Sequence, residues 1–592
     1  MRAVRWILPL VVLCLTLPAD AGGRPGRKAG SYKKDLGAYA RKAGVRTTGK
    51  SRSVERRIVD KEVRKAKRLG LPNASKVVRA ANRRFQKAQR MVPPRQRILY
   101  GFSHLVDQKL SVKQSVVDAL MRVVDKKKFD SYLARGPKKN GTWGRSGLID
   151  DPSELAAAIL HHERYGAGKA KQLSISANLQ KKLQAAFEGL PVDSAPGGAG
   201  LFGANISSSF ENVKVSFHSP QIPSPLQAGL FSPKIRVVTP ETDAKGLAPN
   251  AVAKVGGDTK INFAFETQAG QELNFGGEKV KTGPYHRIIL SSKATYDPVF
   301  DPKLTKTQLR ELARSNDIFV AVGLHYLTGL SPALAKKRGA LLRRQLKTMR
   351  EANPSLYVHN SYVVPRNGAL EAQLFSQIHG LYDSIDLNSA ELTQLARNLD
   401  GATLGDRKVR MPSLAHKNGN PENPTRIFTL ARALLEATQT ERVRIHARWF
   451  DLTLVRTNKN VGTAVERMKR ESSANHFARA VTTNKVANPS GQIRTAKDRW
   501  PVVASLPARS FQEVGKLIDH VARTRSLSAT QKEGFRSSEI LMAAKNGGVS
   551  IVVTPAREFY DFSGGLISAG DTLALTALQA VGPELLNPLK SQ

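Results

Sequence analysis

The stretch Gly564-Gly565-Leu566-Ile567-Ser568-Ala569-Gly570-Asp571-Thr572-Leu573 decides how the rest of this 592-residue chain is read. It follows an apolar run, 549–554, whose β-branched residues predict a strand, and it precedes 573–578, whose leucines and alanines predict a helix packed by its aliphatic side. A small-residue turn that opens a helix leaves backbone N–H groups unpaired and aimed at one point, which makes an anion site. An aspartate in that turn is placed to take the proton from a hydroxyl attacking the anion. A plain glycine turn with an aspartate N-cap satisfies the same residues. Only the surrounding chain can separate the two readings.

Upstream, elements alternate from residue 303 onward. Helices are expected at 305–314, 332–350, 370–379, 390–399, 423–439 and 510–522, with strands at 318–324, 355–359, 384–387 and 443–447. Strands separated by helices of that length imply right-handed crossovers and a mostly parallel sheet covered on both faces. Ligands of such sheets lie beyond the carboxyl ends of the strands. Further upstream, a strand is expected at 98–102, helices at 112–124, 151–162 and 173–187, a small-residue run at 197–205, and strands at 234–238 and 260–265. No internal repeat, Walker-type phosphate loop or metalloprotease His/Glu spacing occurs.

Composition narrows the classes. Lys plus Arg number 93 against 48 Asp plus Glu, a formal charge of +45, which favours anionic partners without naming one. Basic residues crowd 23–97, where Val and Ile spacing allows helices broken at Pro72; this reads as a basic, partly helical or disordered extension that can contact anionic surfaces. No specific nucleic-acid module is present, and the extension lacks the interleaved aromatics of single-strand binders. The one cysteine, Cys14, lies in a leading segment with Arg2 and Arg5, an apolar 7–17 and Ala19-Asp20-Ala21, the pattern of a signal peptide over 1–22. Its removal leaves no thiol chemistry. It also directs the chain to the secretory pathway or out of the cell (periplasm, extracellular space or endoplasmic-reticulum lumen), the cytoplasm being the alternative. Asn73, Asn140 and Asn205 lie in glycosylation sequons.

Several scattered stretches then fall into one order. Residues 98–585 resemble the ADP-dependent glucokinase and phosphofructokinase family, a branch of the ribokinase-like fold. Tyr100-Gly101-Phe102-Ser103-His104-Leu105-Val106-Asp107 is similar to that family's strand ending in a sugar-binding aspartate, with Ser103 among the residues that replace its asparagines. Gly197-Gly198-Ala199-Gly200-Leu201-Phe202-Gly203-Ala204-Asn205 resembles its Gly-Gly-Gln-x-Gly-x-x-Ala-Asn, with Ala199 in place of glutamine. Asn262 to Glu266 is similar to its strand closing in glutamate, and Tyr285-His286-Arg287 to the segment whose arginine faces phosphate. Val358-His359-Asn360-Ser361 stands where the family has His-x-Glu, and Asn388-Ser389-Ala390-Glu391 keeps Asn-x-x-Glu. Thr554-Pro555-Ala556-Arg557 and Ser568-Ala569-Gly570-Asp571 resemble the last strand and the Gly-x-Gly-Asp turn, with Ser568 for the first glycine.

The resemblance implies a three-layer α/β/α domain with a mostly parallel central sheet, carrying a smaller α+β lid whose elements lie mainly within about 105–285, the large domain being the remainder of 98–592. It implies transfer of the β-phosphoryl group of ADP to a hexose or hexose phosphate (glucose or fructose 6-phosphate), giving AMP. By the same resemblance, Asp571, Gly570 and Arg287 are catalytic, while Asp107, Gly197, Gly198, Gly200 and Asn205 bind the sugar. Glu391, Asn388 and Glu266 serve Mg²⁺, and Ala569 and His359 serve the nucleotide. Serine at 361 removes one family carboxylate, so the alternative is a catalytically impaired relative that binds sugar or nucleotide.

Overall fold

The computed structural model describes residues 51–102, 105–138, 143–144, 148–165, 171–219, 223–254, 261–267, 270–283, 286–292, 299–363, 368–416, 419–457, 461–482, 507–542, 548–556, 577–578, 580–581 and 583. The leading segment through residue 50, Ser103, Asn140, Tyr285, Arg557 and the whole turn 564–573 with Ala569, Gly570 and Asp571 lie outside the described residues.

A ten-stranded sheet forms the large domain. Its strands run in the order Ile540–Leu541, Gly548–Pro555, Phe450–Thr457, Arg442–His446, Ser384–Asn388, Tyr357–Ser361, Ile318–Val322, Gln96–Gly101, Val213–His218, Arg236–Val238. The seven from Arg442–His446 to Arg236–Val238 are mutually parallel. Phe450–Thr457 reverses against Arg442–His446, and Gly548–Pro555 reverses again, so its carboxyl end returns to the same edge as theirs. These strands bury almost every residue, as two-sided coverage requires. Helices Lys306–Arg314, Pro332–Ala352 and Gly368–Ile378 cover one face, followed by Ser389–Leu399, Pro424–Thr438 and Ala508–Thr524. Helices Ala199–Ser208 and Val461–Thr482 cover the other.

A second sheet of six strands, in the order Leu148–Ile149, Lys171–Ile175, His286–Ser292, Ile261–Thr267, Leu105–Ser111, Asp193–Gly197, forms the lid. It mixes parallel and antiparallel pairs. One face carries Val106, Leu110, Phe263, Phe265, Ile288 and Leu290 against the helices Gln114–Met121, Pro152–Tyr165 and Ala177–Ala186. The chain enters the lid after Gly101 and leaves it at Gly197–Gly198, where the helix Ala199–Ser208 packs back on the large sheet. Residues 173–175, expected to begin a helix, are strand instead. Leu173 and Ile175 there alternate into the lid core, and Ser176 caps the helix that follows.

The basic segment from residue 51 is built into the fold. Helices Ser51–Arg68 and Ala74–Gln89 pack together through Val63, Ala66, Val77, Val78 and Ala81 and seat against Phe511. Phe85 is buried edge-on to His476 at 6.3 Å, and Arg84 reaches the carboxylate of Glu539 at 3.0 Å and the Ser537 carbonyl at 2.9 Å. Among the described residues no helix is long and apolar enough to cross a membrane.

Docking of this hairpin predicts that Phe85→Ala lowers the unfolding free energy by about 3 kcal/mol, the cost of a buried aromatic cavity. Urea denaturation should report this as a lower midpoint at an unchanged slope. A hairpin loose in solution would leave the midpoint where it was.

Candidate active site between the lid sheet and the strand ends

Side chains alternate along a strand, so register decides which lid residues can share a surface. Asp107 pairs with Asn262, and Asn262 with Ser291; Ser111 pairs with Glu266, and Glu266 with Arg287. These positions have one parity, opposite to the apolar set, so Asp107, Asn262, Glu266, Arg287 and Ser291 occupy the face that the lid helices leave uncovered. Asn262 Nδ2 donates to Asp107 Oδ1 at 3.1 Å, which orients the carboxylate. Asp107 therefore sits within a strand rather than at a helix cap, with 6 % of its surface exposed.

Beside Asp107 lies the exit from the lid. A Cβ at Gly197 would lie 2.6 Å from Asp107 Oδ1 and 2.1 Å from a Leu105 methyl, so the close approach of strand and carboxylate needs glycine there. Gly198, at φ +77°, then starts the helix Ala199–Ser208 without a side-chain cap, and Gly200 is in its first turn. The first N–H groups of that helix are thus left for a ligand next to Asp107. Asn205 is spent internally: its Nδ2 donates to the Leu230 carbonyl at 2.8 Å, and its Oδ1 accepts the Ser232 N–H at 2.7 Å. Its burial also removes it as a glycosylation acceptor.

Arg287 is 7 % exposed and forms an ion pair with Glu266 at 2.6 Å. Its Nε is buried with no partner among the described residues. Glu266, expected at the metal, thus neutralises Arg287 on the lid. An arginine with a spare, buried N–H is suited to receive an anionic oxygen there.

The other half of the site is the carboxyl edge of the large sheet, where Gly101, Ser361, Asn388, His446 and Pro555 end their strands. Asn388 and Glu391 form a capping box on the helix Ser389–Leu399. Asn388 Oδ1 accepts the N–H groups of Ala390 and Glu391, both at 2.9 Å, and Glu391 Oε2 accepts the Asn388 N–H at 2.7 Å. Asn388 is thereby committed to the backbone, while Glu391 stays half-buried at the edge. His359 is inside the sheet, its Nδ1 2.5 Å from Ser384 Oγ and its Nε2 buried without a partner among the described residues; burial lowers its pKa to about 3, so it is neutral. Among the described residues no group of three or more His, Cys, Asp and Glu could by itself hold a metal ion.

Sequence reading missed a fully buried layer of charge beneath this edge. Arg444 donates to Asp386 at 3.0 Å, to Asp451 at 3.2 Å and to Asn475 at 2.8 Å. Arg479 holds Asp451 at 2.7 and 3.0 Å, and Arg442 holds Glu471 at 2.8 and 3.0 Å. His446 Nδ1 lies 3.0 Å from Asp386 Oδ1, leaving Nε2 as the ring atom for the edge. Burial alone would push the Asp386 carboxyl up, yet Arg444 and His446 together hold it well below the usual carboxylate range. The only sequence signal was the row Arg442, Arg444, His446 at strand period two.

The chain matches the ADP-specific Phosphofructokinase/Glucokinase conserved region over residues 114–557. It is 23% identical over 317 residues to the ADP-specific phosphofructokinase of Pyrococcus furiosus, an alignment spanning 52% of this chain and 66% of that protein. Its fold is similar to that of a solved last common ancestor of ADP-dependent phosphofructokinases from Methanosarcinales, at a TM-score of 0.64 and 18% identity, with 85% of this chain and 97% of that one covered. An ADP-dependent kinase solved with fructose 6-phosphate and ADPβS gives a TM-score of 0.64 at 16% identity, covering 86% and 98%.

Two outcomes test the geometry. Arg444→Met leaves Asp386 and Asp451 facing each other without their shared cation, and chemical denaturation should show a loss of about 3–5 kcal/mol. Glu371, buried beside Tyr362 and bonded by Asn398 at 2.6 Å, has its pKa raised from 4.5 to about 7 by burial. The folded state therefore holds a proton that the unfolded state gives up. Stability is full below pH 4.5 and falls as pH rises toward 7, by about 3 kcal/mol from this group. Glu371→Gln should flatten that slope in melts taken between pH 5 and 7.5.

Proposed function

The chain belongs to the ADP-specific phosphofructokinase/glucokinase family, and from that premise we propose that it transfers the β-phosphoryl group of ADP to a hydroxyl of a hexose phosphate, releasing AMP. The observation that carries the proposal is the lid face left free by its helices, where Asp107 lies beside the uncapped helix start at Gly198 and Arg287 shares the same face. Fructose 6-phosphate is the acceptor we favour over glucose. The relative with an assigned activity is a phosphofructokinase, and Lys109 shares the face and parity of Asp107.

In this mechanism the two oxygens of Asp107 accept hydroxyl hydrogen bonds and orient the sugar. The attacking hydroxyl oxygen forms a bond to the β-phosphorus while the bond to the bridging oxygen breaks, and that oxygen leaves with AMP. Asp571, the residue that matches the family's base, takes the hydroxyl proton. Arg287 and the backbone N–H groups of 569–571 stabilise the charge spreading over the transferred oxygens. Mg²⁺, kept largely hydrated, fits the donor set because it needs few protein ligands, and Glu391 would hold it through water; when bound it neutralises phosphate charge. Closing the lid excludes water that would otherwise take the phosphoryl group. Ser361 at the edge adds no carboxylate, which favours a slow enzyme or, as the second reading, a sugar- or nucleotide-binding relative. We place the protein on the secretory route on the strength of residues 1–22 alone.

The test is AMP release from ADP and Mg²⁺ with fructose 6-phosphate or glucose. The expected result is sugar-dependent AMP that drops about 10²–10⁴-fold in Asp571→Asn and about 10²–10³-fold in Arg287→Met. Binding of ADP or sugar by calorimetry without AMP would establish the binding relative. Absence of both would overturn the proposal.

A further inference from the structure

We propose that the groove between the helices Ala74–Gln89 and Val461–Thr482, on the outside of the large domain, is a binding site for a linear phosphate anion carrying several adjacent negative charges. The groove encloses about 700 Å³ and is lined by Arg83, Lys87, Arg90, Lys469 and Arg470, with Glu466 the one carboxylate among the described lining residues. Arg83, Lys87 and Arg90 fall three and four residues apart, so one side of the first helix presents all three. Lys469 and Arg470 present from the facing helix. Ala88 and Met91 supply apolar lining without an aromatic ring.

The convergence of five cations on one concavity is what points to a ligand. Some exposed cations elsewhere have found carboxylates, among them Lys126 with Asp130, Lys254 with Glu241 and Arg432 with Glu436. On the same helix Arg79 has found Asp60. Among the described residues, none of the five groove cations has a carboxylate partner, although Glu466 stands three and four residues before Lys469 and Arg470 on their own helix. Five like charges facing one concavity repel one another, and that repulsion is relieved when an anion enters. The volume accommodates a small polyanion and not a duplex. Without a stacking ring, the recognition is of phosphate rather than of bases.

The groove also has a route to the catalytic edge. The side of Val461–Thr482 facing away from it carries Glu471, Asn475 and Arg479, which hold Arg442, Arg444 and Asp451 in the buried layer. The groove itself is on the opposite side of this helix from those residues, and its test reads binding and not turnover.

The experiment is calorimetric titration of the full chain with inorganic tripolyphosphate, without Mg²⁺. It compares Arg83→Ser/Lys87→Ser/Arg470→Ser with Lys336→Ser/Lys337→Ser/Arg344→Ser, which removes the same charge from the helix Pro332–Ala352. All six residues lie outside the hydrophobic clusters, and both variants should melt like the wild type. The expected result is a loss of affinity of at least about tenfold in the groove variant, with a smaller salt slope, and less than about twofold in the control. Equal losses in the two variants would show bulk charge attraction and overturn the site, as would absence of binding by the wild type. A single-stranded oligonucleotide that binds tighter than tripolyphosphate and is equally sensitive to the groove variant would overturn the proposed ligand.

Discussion

Arg444 is the side chain on which this structure turns. It is fully buried and joins strand Ser384–Asn388, through Asp386, to the reversed strand Phe450–Thr457, through Asp451, and to the overlying helix, through Asn475. Three guanidiniums (Arg442, Arg444, Arg479) and three carboxylates (Asp386, Asp451, Glu471) balance within the layer. Taking so many charges out of water is costly, and hydrophobic side chains of similar volume would fill the space with less penalty. Such a layer does have geometric consequences. Each guanidinium accepts partners only in its own plane, so the strands and the helix can meet in one register. Asp386 in turn fixes His446 at the strand end, where a ligand of a parallel sheet lies.

The lid solves a different problem with a different device. Its sheet is covered by helices on one side only, so a single alternation of side chains produces both a core and a polar floor. Residues far apart in the chain, Asp107, Asn262 and Arg287, reach that floor because pairing register gives them the same parity. Shifting any one of these strands by a residue would bury the polar set and expose the apolar one. The hydrophobic face of the lid is thus what keeps its polar face in place. The glycines at 197 and 198 let the chain pass between the two sheets close against the Asp107 carboxylate.

What could be read from the sequence follows from these two devices. Strands buried on both faces leave near-continuous apolar runs, and for that reason Ile318–Val322, Tyr357–Ser361, Ser384–Asn388 and Arg442–His446 were found within about two residues, as were the helices between them. The helix Val461–Thr482 was not. Its buried side interleaves Arg467, Glu471, Asn475 and Arg479 with Met468, Ala474, Phe477, Ala478 and Val481, so the apolar period is broken by charge. Strand Lys171–Ile175 was read as helix because five residues cannot show their period against the helix that follows. The basic segment reads as an extension because its charge conceals the Val63, Val77, Val78 and Phe85 surface that docks it. At the candidate site, pairing register brings Asp107 and Arg287 to one lid face, and sequence could not show that Asn205 and Asn388 are occupied by backbone groups.

The missed helix also explains why the two unusual features of the large domain lie together. A helix packed on a sheet through apolar side chains tolerates small slides, since dispersion contacts have little directionality. One that adds Arg444–Asn475, Arg479–Asp451 and Arg442–Glu471 to its apolar contacts does not, because a displacement of an ångström breaks charge-assisted hydrogen bonds in a dry environment. Val461–Thr482 is therefore held in a fixed position against the sheet. Its outward side can carry Lys469 and Arg470 against Arg83, Lys87 and Arg90 without the two helices being driven apart. Arg84 and Phe85, next to Arg83, secure the facing helix from its other side through Glu539 and His476. Repulsion across the outer groove is thus sustained by bonds made on the inner faces of the same two helices.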